Sequence, residues 1–195
     1  MPSSSAAPTH EQTLQNLLAA FNGESNAAAH YAAFAVKADE EGYLKIGSLF
    51  RATARAEQIH AANHAVVIRK LGGTPEASVT PGEVGTTVNN LKAAIAGELY
   101  EVDVMYPDFL REAEAQKNSA ARRTFHFALE AEKEHARLFA KALEHIQHCV
   151  DKTCQKLSSK ATYYVCPECG FTTDKAEFDR CPVCSHTRED FELVD

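Results

Sequence analysis

Glu57-Gln58-Ile59-His60 and Glu132-Lys133-Glu134-His135 carry the same arrangement, a glutamate and a histidine three residues apart, at two distant places in the chain. Positions three apart share one face of a helix, so each tetrad can present a carboxylate and an imidazole to one metal ion. Each tetrad also follows another glutamate at a similar distance: Glu24 precedes Glu57 by 33 residues, and Glu98 precedes Glu132 by 34. Two helices carrying a lone glutamate and two carrying Glu-x-x-His form a donor set for a pair of ions inside a bundle. A single tetrad would read more simply as a solvated helix face. Two of them, each paired with an upstream glutamate on an apolar stripe, argue for the metal pair.

The stripes extend outward from these residues. Thr9 and Gln12 have the form of a capping box, and Leu14, Leu17, Leu18, Phe21, Ala28, Tyr31 and Ala35 then recur at helical steps with Glu24 among them. Gly42 is a natural stop. A second helix is expected from about Leu44 to Leu71, closed by Gly72-Gly73, with Leu49, Phe50, Thr53, Glu57, His60, Val67 and Leu71 near one face. Residues 72–87 hold four glycines and two prolines and read as a long crossover. A third helix carries Leu91, Ala94, Ile95, Glu98, Val102 and Met105, with a kink expected at Pro107, whose ring removes one backbone donor. After Asn118 and Ser119 a fourth helix presents Phe125, Ala128, Glu132, His135, Leu138 or Phe139, and Ile146. The fold class is therefore mainly α: a four-helix bundle whose long middle connection points to the ferritin-like arrangement. Residues 1–8 read as a disordered leader, 9–149 as the bundle, 150–162 as a polar linker, and 163–195 as a small separate domain.

Together the stripes turn Glu24, Glu57, His60, Glu98, Glu132 and His135 inward, and Glu101 shares the face of Glu98 one turn on. Carboxylates in an apolar interior are costly unless compensated. No Lys or Arg is spaced to pair with them, so two divalent cations are the natural counter-charge. Oxygen-rich donors with one imidazole per ion suit iron or manganese better than zinc. Among the other histidines, His10, His30, His126, His145, His148 and His186 read as surface or supporting groups. His64, one turn beyond His60, reads as a packed or exposed residue that could approach the site.

With 195 residues there is room for one sizeable domain and a small one, and 45% hydrophobic content is ordinary for a globular protein. A net charge of −7 argues against nucleic-acid binding. No apolar run approaches the roughly 20 residues needed to cross a bilayer. The N-terminal stretch lacks the features of a secretory signal, which implies a cytoplasmic protein whose cysteines stay reduced. Of six cysteines, four form Cys166-Pro167-Glu168-Cys169 and Cys181-Pro182-Val183-Cys184, separated by 11 residues. Two such knuckles close tetrahedrally around one ion. Cysteine spacing alone favours zinc; a neighbouring di-metal bundle favours iron, because a one-electron centre beside a redox site has a use. Cys149 and Cys154 read as free thiols.

The ligand spacing, Gly23-Glu24-Ser25, the run Asn90-Leu91 through Gly97-Glu98, and Met105-Tyr106-Pro107-Asp108-Phe109 resemble the rubrerythrins of the ferritin-like superfamily, over nearly the whole chain. The tail from Tyr164 to Phe171 is similar to rubredoxin, although the span between knuckles is short, Ser185 stands where rubredoxins carry glycine, and the usual core Trp is missing. The resemblance implies a di-iron site of Glu24, Glu57, Glu98, Glu101, Glu132 and His135, with Glu57 and Glu132 bridging. It makes His60 and Glu101 alternative ligands to one iron that shifts on reduction, and Tyr31 and Tyr106 supporting tyrosines. It implies an Fe(Cys)4 centre, with zinc as the alternative, at Cys166, Cys169, Cys181 and Cys184.

The activity implied is reduction of hydrogen peroxide to water, with electrons relayed through the Cys-held iron from a rubredoxin or an NAD(P)H-dependent reductase, in oxidative-stress defence. A homodimer is expected, with exchanged helices a further option, in which one chain's tail approaches the other's bundle. A ferroxidase or iron-handling protein and a non-enzymatic zinc-ribbon interaction protein are the alternatives.

Overall fold

The computed structural model describes residues 10–148 and 157–195. The leader, Thr9 of the capping box, Cys149, Cys154 and the first part of the linker lie outside these residues. Helix α1 spans Glu11–Glu40, α2 Leu44–Lys70, α3 Thr87–Tyr100, α4 Tyr106–Ala115 and α5 Ser119–His148. A π-helical turn, Glu101–Met105, joins α3 to α4. The tail holds β1 Tyr163–Val165, β2 Thr172–Thr173 and β3 Glu192–Val194, antiparallel in the order β2-β1-β3.

Helix ends follow local chemistry. Gly42, at φ 85°, lets the Tyr43 amide turn back to the Ala38 carbonyl and closes α1. Gln12 bonds Asn16 within its own helix. The side-chain oxygen of Asn118 accepts from the Ala121 amide and caps α5. The crossover after α2 is pinned along α1: Asn22 and Asn26 accept from the amides of Ser78 and Thr80.

The third helix departs from expectation. Its irregularity comes before Pro107, where the Tyr106 amide reaches back five residues to the Glu101 carbonyl. Pro107 has no N–H to hold the α register at this point, so the chain inserts a π turn and begins α4 anew.

Two apolar clusters fill the bundle. One contains Tyr31, Phe34, Leu49, Phe50 and Phe139; the other contains Leu17, Ile68, Tyr106 and Phe125. Along α1 and α5 the inward glutamates fall between the residues of one cluster and those of the other, and on α2 Glu57 lies near the end of the first cluster, ahead of Val67 and Ile68 of the second. The polar layer is therefore sealed at both ends by packed rings.

The tail packs against the bundle. Leu157, Tyr163 and Val165 belong to the first bundle cluster, so the described end of the linker packs rather than spans. Arg55 grips Glu192 through two hydrogen bonds of 2.6 and 2.8 Å, and Lys141 pairs with Asp174 at 2.6 Å. Within the tail, Phe178 stacks edge-on with Phe191 at 4.7 Å, filling space without a Trp. No helix among the described residues is long and apolar enough to cross a membrane.

Truncating Phe50, fully buried among Tyr31, Phe34 and Phe139, should cost about 3–5 kcal/mol as Phe50→Ala. Asn118→Ala, which removes only a cap, should cost about 1 kcal/mol. Denaturant titration of the full chain checks both.

Candidate metal centres

Each bundle helix delivers its donors to the same layer. Glu24 comes from α1, Glu57 and His60 from α2, Glu98 from α3, and Glu132 and His135 from α5. All six are at most 1% exposed. Their ligand atoms fall into two groups, Glu24–Glu57–His60–Glu132 and Glu57–Glu98–Glu132–His135, with donors in each within 4.8 Å of one another. Glu57 and Glu132 belong to both. His60 Nδ1 lies 2.8 Å from Glu57 and 2.8 Å from Glu132; His135 Nδ1 lies 2.6 Å from Glu132 and 3.3 Å from Glu57. The sequence spacing thus becomes a two-fold arrangement in space.

The electrostatics explain what such a layer requires. Burial, and then the charges of Glu132 and Glu57, drive the Glu24 and Glu98 carboxyls well above the ordinary carboxylate range. The two imidazoles rise despite burial, because Glu132 and Glu57 surround them. Among the described residues the ion-pair partners of these glutamates are histidines alone. Glu24 Oε2, Glu57 Oε1, Glu98 Oε2, both Glu132 oxygens and His135 Nδ1 are buried without a hydrogen-bond partner. Buried acceptors left unpaired cost roughly 1–3 kcal/mol each. Convergent unpaired oxygens with one imidazole at each end fit a pair of divalent cations.

Glu101 stands apart from both groups. It is the first residue of the π turn and only partly buried, yet burial and the charges of Glu24 and Glu132 raise its carboxyl well above the ordinary range. His60 belongs to the first donor group and Glu101 to neither.

Tyr31 and Tyr106 form a crossed pair beside the layer. Tyr31 on α1 donates to Glu98 on α3 at 2.6 Å, and Tyr106 on α4 donates to Glu24 on α1. Burial, and the glutamate each one touches, raise both hydroxyls well above the ordinary tyrosine value, so they keep their protons.

His64, read as a packed or exposed residue that could approach the site, is packed and hydrogen-bonded on both ring nitrogens. It is fully buried, its Nε2 lies 3.1 Å from the Tyr106 hydroxyl, and its Nδ1 lies 3.0 Å from Thr124 Oγ1. Burial, reinforced by His60, lowers its pKa to about 3, so it is neutral.

The second donor cluster lies in the tail. The sulfurs of Cys166, Cys169, Cys181 and Cys184 are mutually within 4.8 Å and none is in a disulfide. The knuckles match: Gly170 and Ser185 donate to the carbonyls of Cys166 and Cys181, at φ 76° and 65° respectively. Ser185 therefore adopts the left-handed backbone that its glycine counterpart adopts without strain. Contact with Cys166 and Cys181 pushes the Cys169 thiol far up, while contact with Cys166 and Cys169 pulls Cys181 down. Four crowded sulfurs concentrate charge on one of them unless a cation shares it, which fits a single tetrahedral ion.

The two centres touch through residues that local sequence reading misses. His60 Nε2 lies 3.0 Å from the Cys169 carbonyl oxygen, and His135 Nε2 lies 3.2 Å from Thr172 Oγ1. Thr172 uses its own proton on the Gly170 carbonyl, so it accepts from His135. Each histidine thus donates Nε2–H to the tail and turns Nδ1 toward the carboxylates, which sets the tautomer for a ligand. A Cβ on Gly170 would overlap His60. Within this one chain the tail meets the bundle, and the donor layer is completed by the chain's own helices. Thr172 carries no motif; only the backbone fold of the knuckle brings it to α5.

The chain matches the family model described as Rubrerythrin over residues 15–143. It is 42% identical to Rubrerythrin-2 of Clostridium acetobutylicum over 83% of this chain and 85% of that one. It is 36% identical to nigerythrin of Nitratidesulfovibrio vulgaris over 92% and 79%. The structure of nigerythrin in its mixed-valence state superposes with a TM-score of 0.82, at 32% identity, covering 99% of this chain and 100% of that one. A Desulfovibrio desulfuricans bacterioferritin, at 22% identity and a TM-score of 0.70 over 78% of this chain and 90% of that one, shares the bundle fold.

Metal removal gives a signed pH dependence. Glu24 and Glu98 have folded pKa values above the ordinary 4.5 and His60 and His135 above the ordinary 6.5. The folded metal-stripped chain therefore binds more protons than the unfolded chain from about pH 4.5 upward. Its thermal midpoint should fall as pH rises from mildly acid to mildly alkaline, and added divalent cation should flatten that slope with proton release. Gly170→Ala should lower the thermal midpoint and separate tail from bundle, read as faster amide exchange in β1 and at His60.

Proposed function

The chain belongs to the rubrerythrin family, and from that membership we propose that it is a non-haem di-iron peroxidase reducing hydrogen peroxide to water. One observation carries the reading: two buried donor groups sharing Glu57 and Glu132, with His60 bonded on its far side to the carbonyl of Cys169 in a four-sulfur cluster. When bound, iron in the bundle supplies the electron pair for O–O cleavage, and iron on the cysteines passes electrons singly from an external donor such as a rubredoxin or an NAD(P)H-dependent reductase.

The chain's own residues do the rest. Glu24, Glu57, Glu98, Glu132, His135 and His60 would hold the bundle pair, with Glu101 able to replace His60 at one ion. Cys166, Cys169, Cys181 and Cys184 would hold the third ion. Tyr106 and Tyr31 donate hydrogen bonds to Glu24 and Glu98 and so orient the carboxylates. The ring cluster of Tyr31, Phe34, Phe50 and Phe139 excludes water from one end of the layer. His60, between the sulfur cluster and the carboxylates, is the shortest bonded connection from one centre to the other.

A homodimer in a reducing cytoplasm, acting in oxidative-stress defence, completes the proposal. The direct contact of the cysteine knuckle with His60 and His135 weighs against an iron-handling ferroxidase, which has no use for an attached electron donor. The buried glutamates weigh against a zinc-ribbon scaffold.

Chain prepared with iron should hold three ions, one for each donor group, turn red when oxidised, and in its reduced form be oxidised rapidly by peroxide under anaerobic mixing. Zinc on the cysteines with no peroxide turnover would sink the proposal. His60→Ala should slow turnover; an unchanged rate would deny His60 any part in the ligand exchange or the electron path.

A further inference from the structure

The two tyrosines that hold the carboxylate layer have unlike surroundings. The Tyr31 ring is packed against Phe34, Phe50 and Phe139 at 6.2, 6.0 and 5.3 Å between centroids. Among the described residues its hydroxyl bonds Glu98 alone. Tyr106 has a polar continuation: its hydroxyl meets His64 Nε2 at 3.1 Å, and His64 Nδ1 meets Thr124 Oγ1 at 3.0 Å. Tyr106 and His64 are fully buried, and Thr124 is 6% exposed. Thr124 lines a surface groove of about 410 Å³ together with Asn63, Lys70, Ser119, Arg123 and Glu168.

The direction of every proton in this series follows from one end. With a cation in the layer to compensate it, the Glu24 carboxylate is ionised and only accepts, so Tyr106 donates to Glu24. The remaining lone pairs of the Tyr106 oxygen then receive the Nε2–H of His64, and the bare Nδ1 receives the hydroxyl proton of Thr124. All three donors point the same way, from groove to site. We propose that Thr124, His64 and Tyr106 form a proton path from the surface groove to Glu24, serving one side of the metal layer only.

The path rests on the peroxide-reducing activity proposed above, which consumes two protons and two electrons for each peroxide converted to two waters. In one passage the Tyr106 hydroxyl proton goes to the Glu24 side, the His64 Nε2 proton goes to the Tyr106 oxygen, and the Thr124 proton goes to His64 Nδ1. An acid in the groove restores Thr124. One proton enters the site for one taken from the groove, and no electron moves. The starting orientation returns when the two hydroxyls rotate and His64 passes back from its Nδ1–H to its Nε2–H tautomer. His64 and Thr124 act through Tyr106 and touch no reacting atom.

His64→Gln separates conduction from mere positioning. A glutamine amide can accept from Thr124 and donate to Tyr106, but it does not pass a proton along. Thr124→Val, of nearly the same shape, removes the first donor without touching His64.

In the full chain loaded with diamagnetic zinc, exchange of the Tyr106 hydroxyl proton with solvent should be about tenfold or more faster than that of Tyr31, as a relay of positioned acid–base groups permits. Either variant should bring Tyr106 down to the Tyr31 rate while leaving Tyr31 unchanged. In the iron-loaded chain both variants should slow peroxide oxidation of the reduced protein by about tenfold or more, at unchanged iron content and visible spectrum.

Equal exchange of the two tyrosines in the unmodified chain would overturn the path, as would wild-type exchange or wild-type peroxide rates in His64→Gln. If the unmodified iron-loaded chain failed to react with peroxide, the peroxidase reading would fall. The contrast between the two tyrosines would still decide whether the path conducts.

Discussion

Glu57 and Glu132 are buried side by side between two apolar clusters, and the rest of the molecule is arranged around that cost. Charge in a medium of low polarity is tolerated only where opposite charge or hydrogen bonds answer it. Here the answer from the described residues is partial: two imidazoles, two tyrosine hydroxyls and no lysine or arginine. The unsatisfied oxygens all face one another, so the same feature that strains the metal-stripped fold defines a place for cations. Stability and metal binding are therefore one problem in this protein.

The tail solves a second problem while appearing to be an addition. A domain of some three dozen residues buries little apolar surface by itself. This one borrows core from the bundle through Tyr163 and Val165 and is clamped by Arg55 on Glu192. The clamp has a chemical consequence. It brings the knuckle carbonyl of Cys169 onto His60 and the hydroxyl of Thr172 onto His135, so the far nitrogen of each imidazole is committed to the tail. Docking the tail and choosing the histidine tautomers are one event.

The layer is two-fold in its donors and one-sided in its surroundings. Shared Glu57 and Glu132, paired histidines and crossed tyrosines repeat. The π turn at Glu101 and the buried His64 do not. Both departures lie on the Tyr106 side, where α3 gives way to α4. A symmetric donor set binds two like ions; asymmetry around it lets the two positions differ in reach, in protons and in exchange of ligands.

Much of this was legible in the chain. Helical periodicity is local, so Glu24, Glu57, His60, Glu98, Glu132 and His135 could be set on inward faces from spacing alone, as could the four cysteines in their knuckles. Gly42 and Gly72 marked helix ends because only local backbone freedom is involved. Pro107 signalled a break whose form and position were set by hydrogen-bond register around Glu101. The role of His64 was not legible, because its partners Tyr106 and Thr124 are 42 and 60 residues away. Nor was the seating of the tail, which depends on Cys169 and Thr172 meeting histidines from two different helices. Sequence by itself determined which donors exist and which way they face, since those follow from the pitch of a helix. Tertiary structure decided what stands behind each donor, since those contacts join segments that no local rule connects.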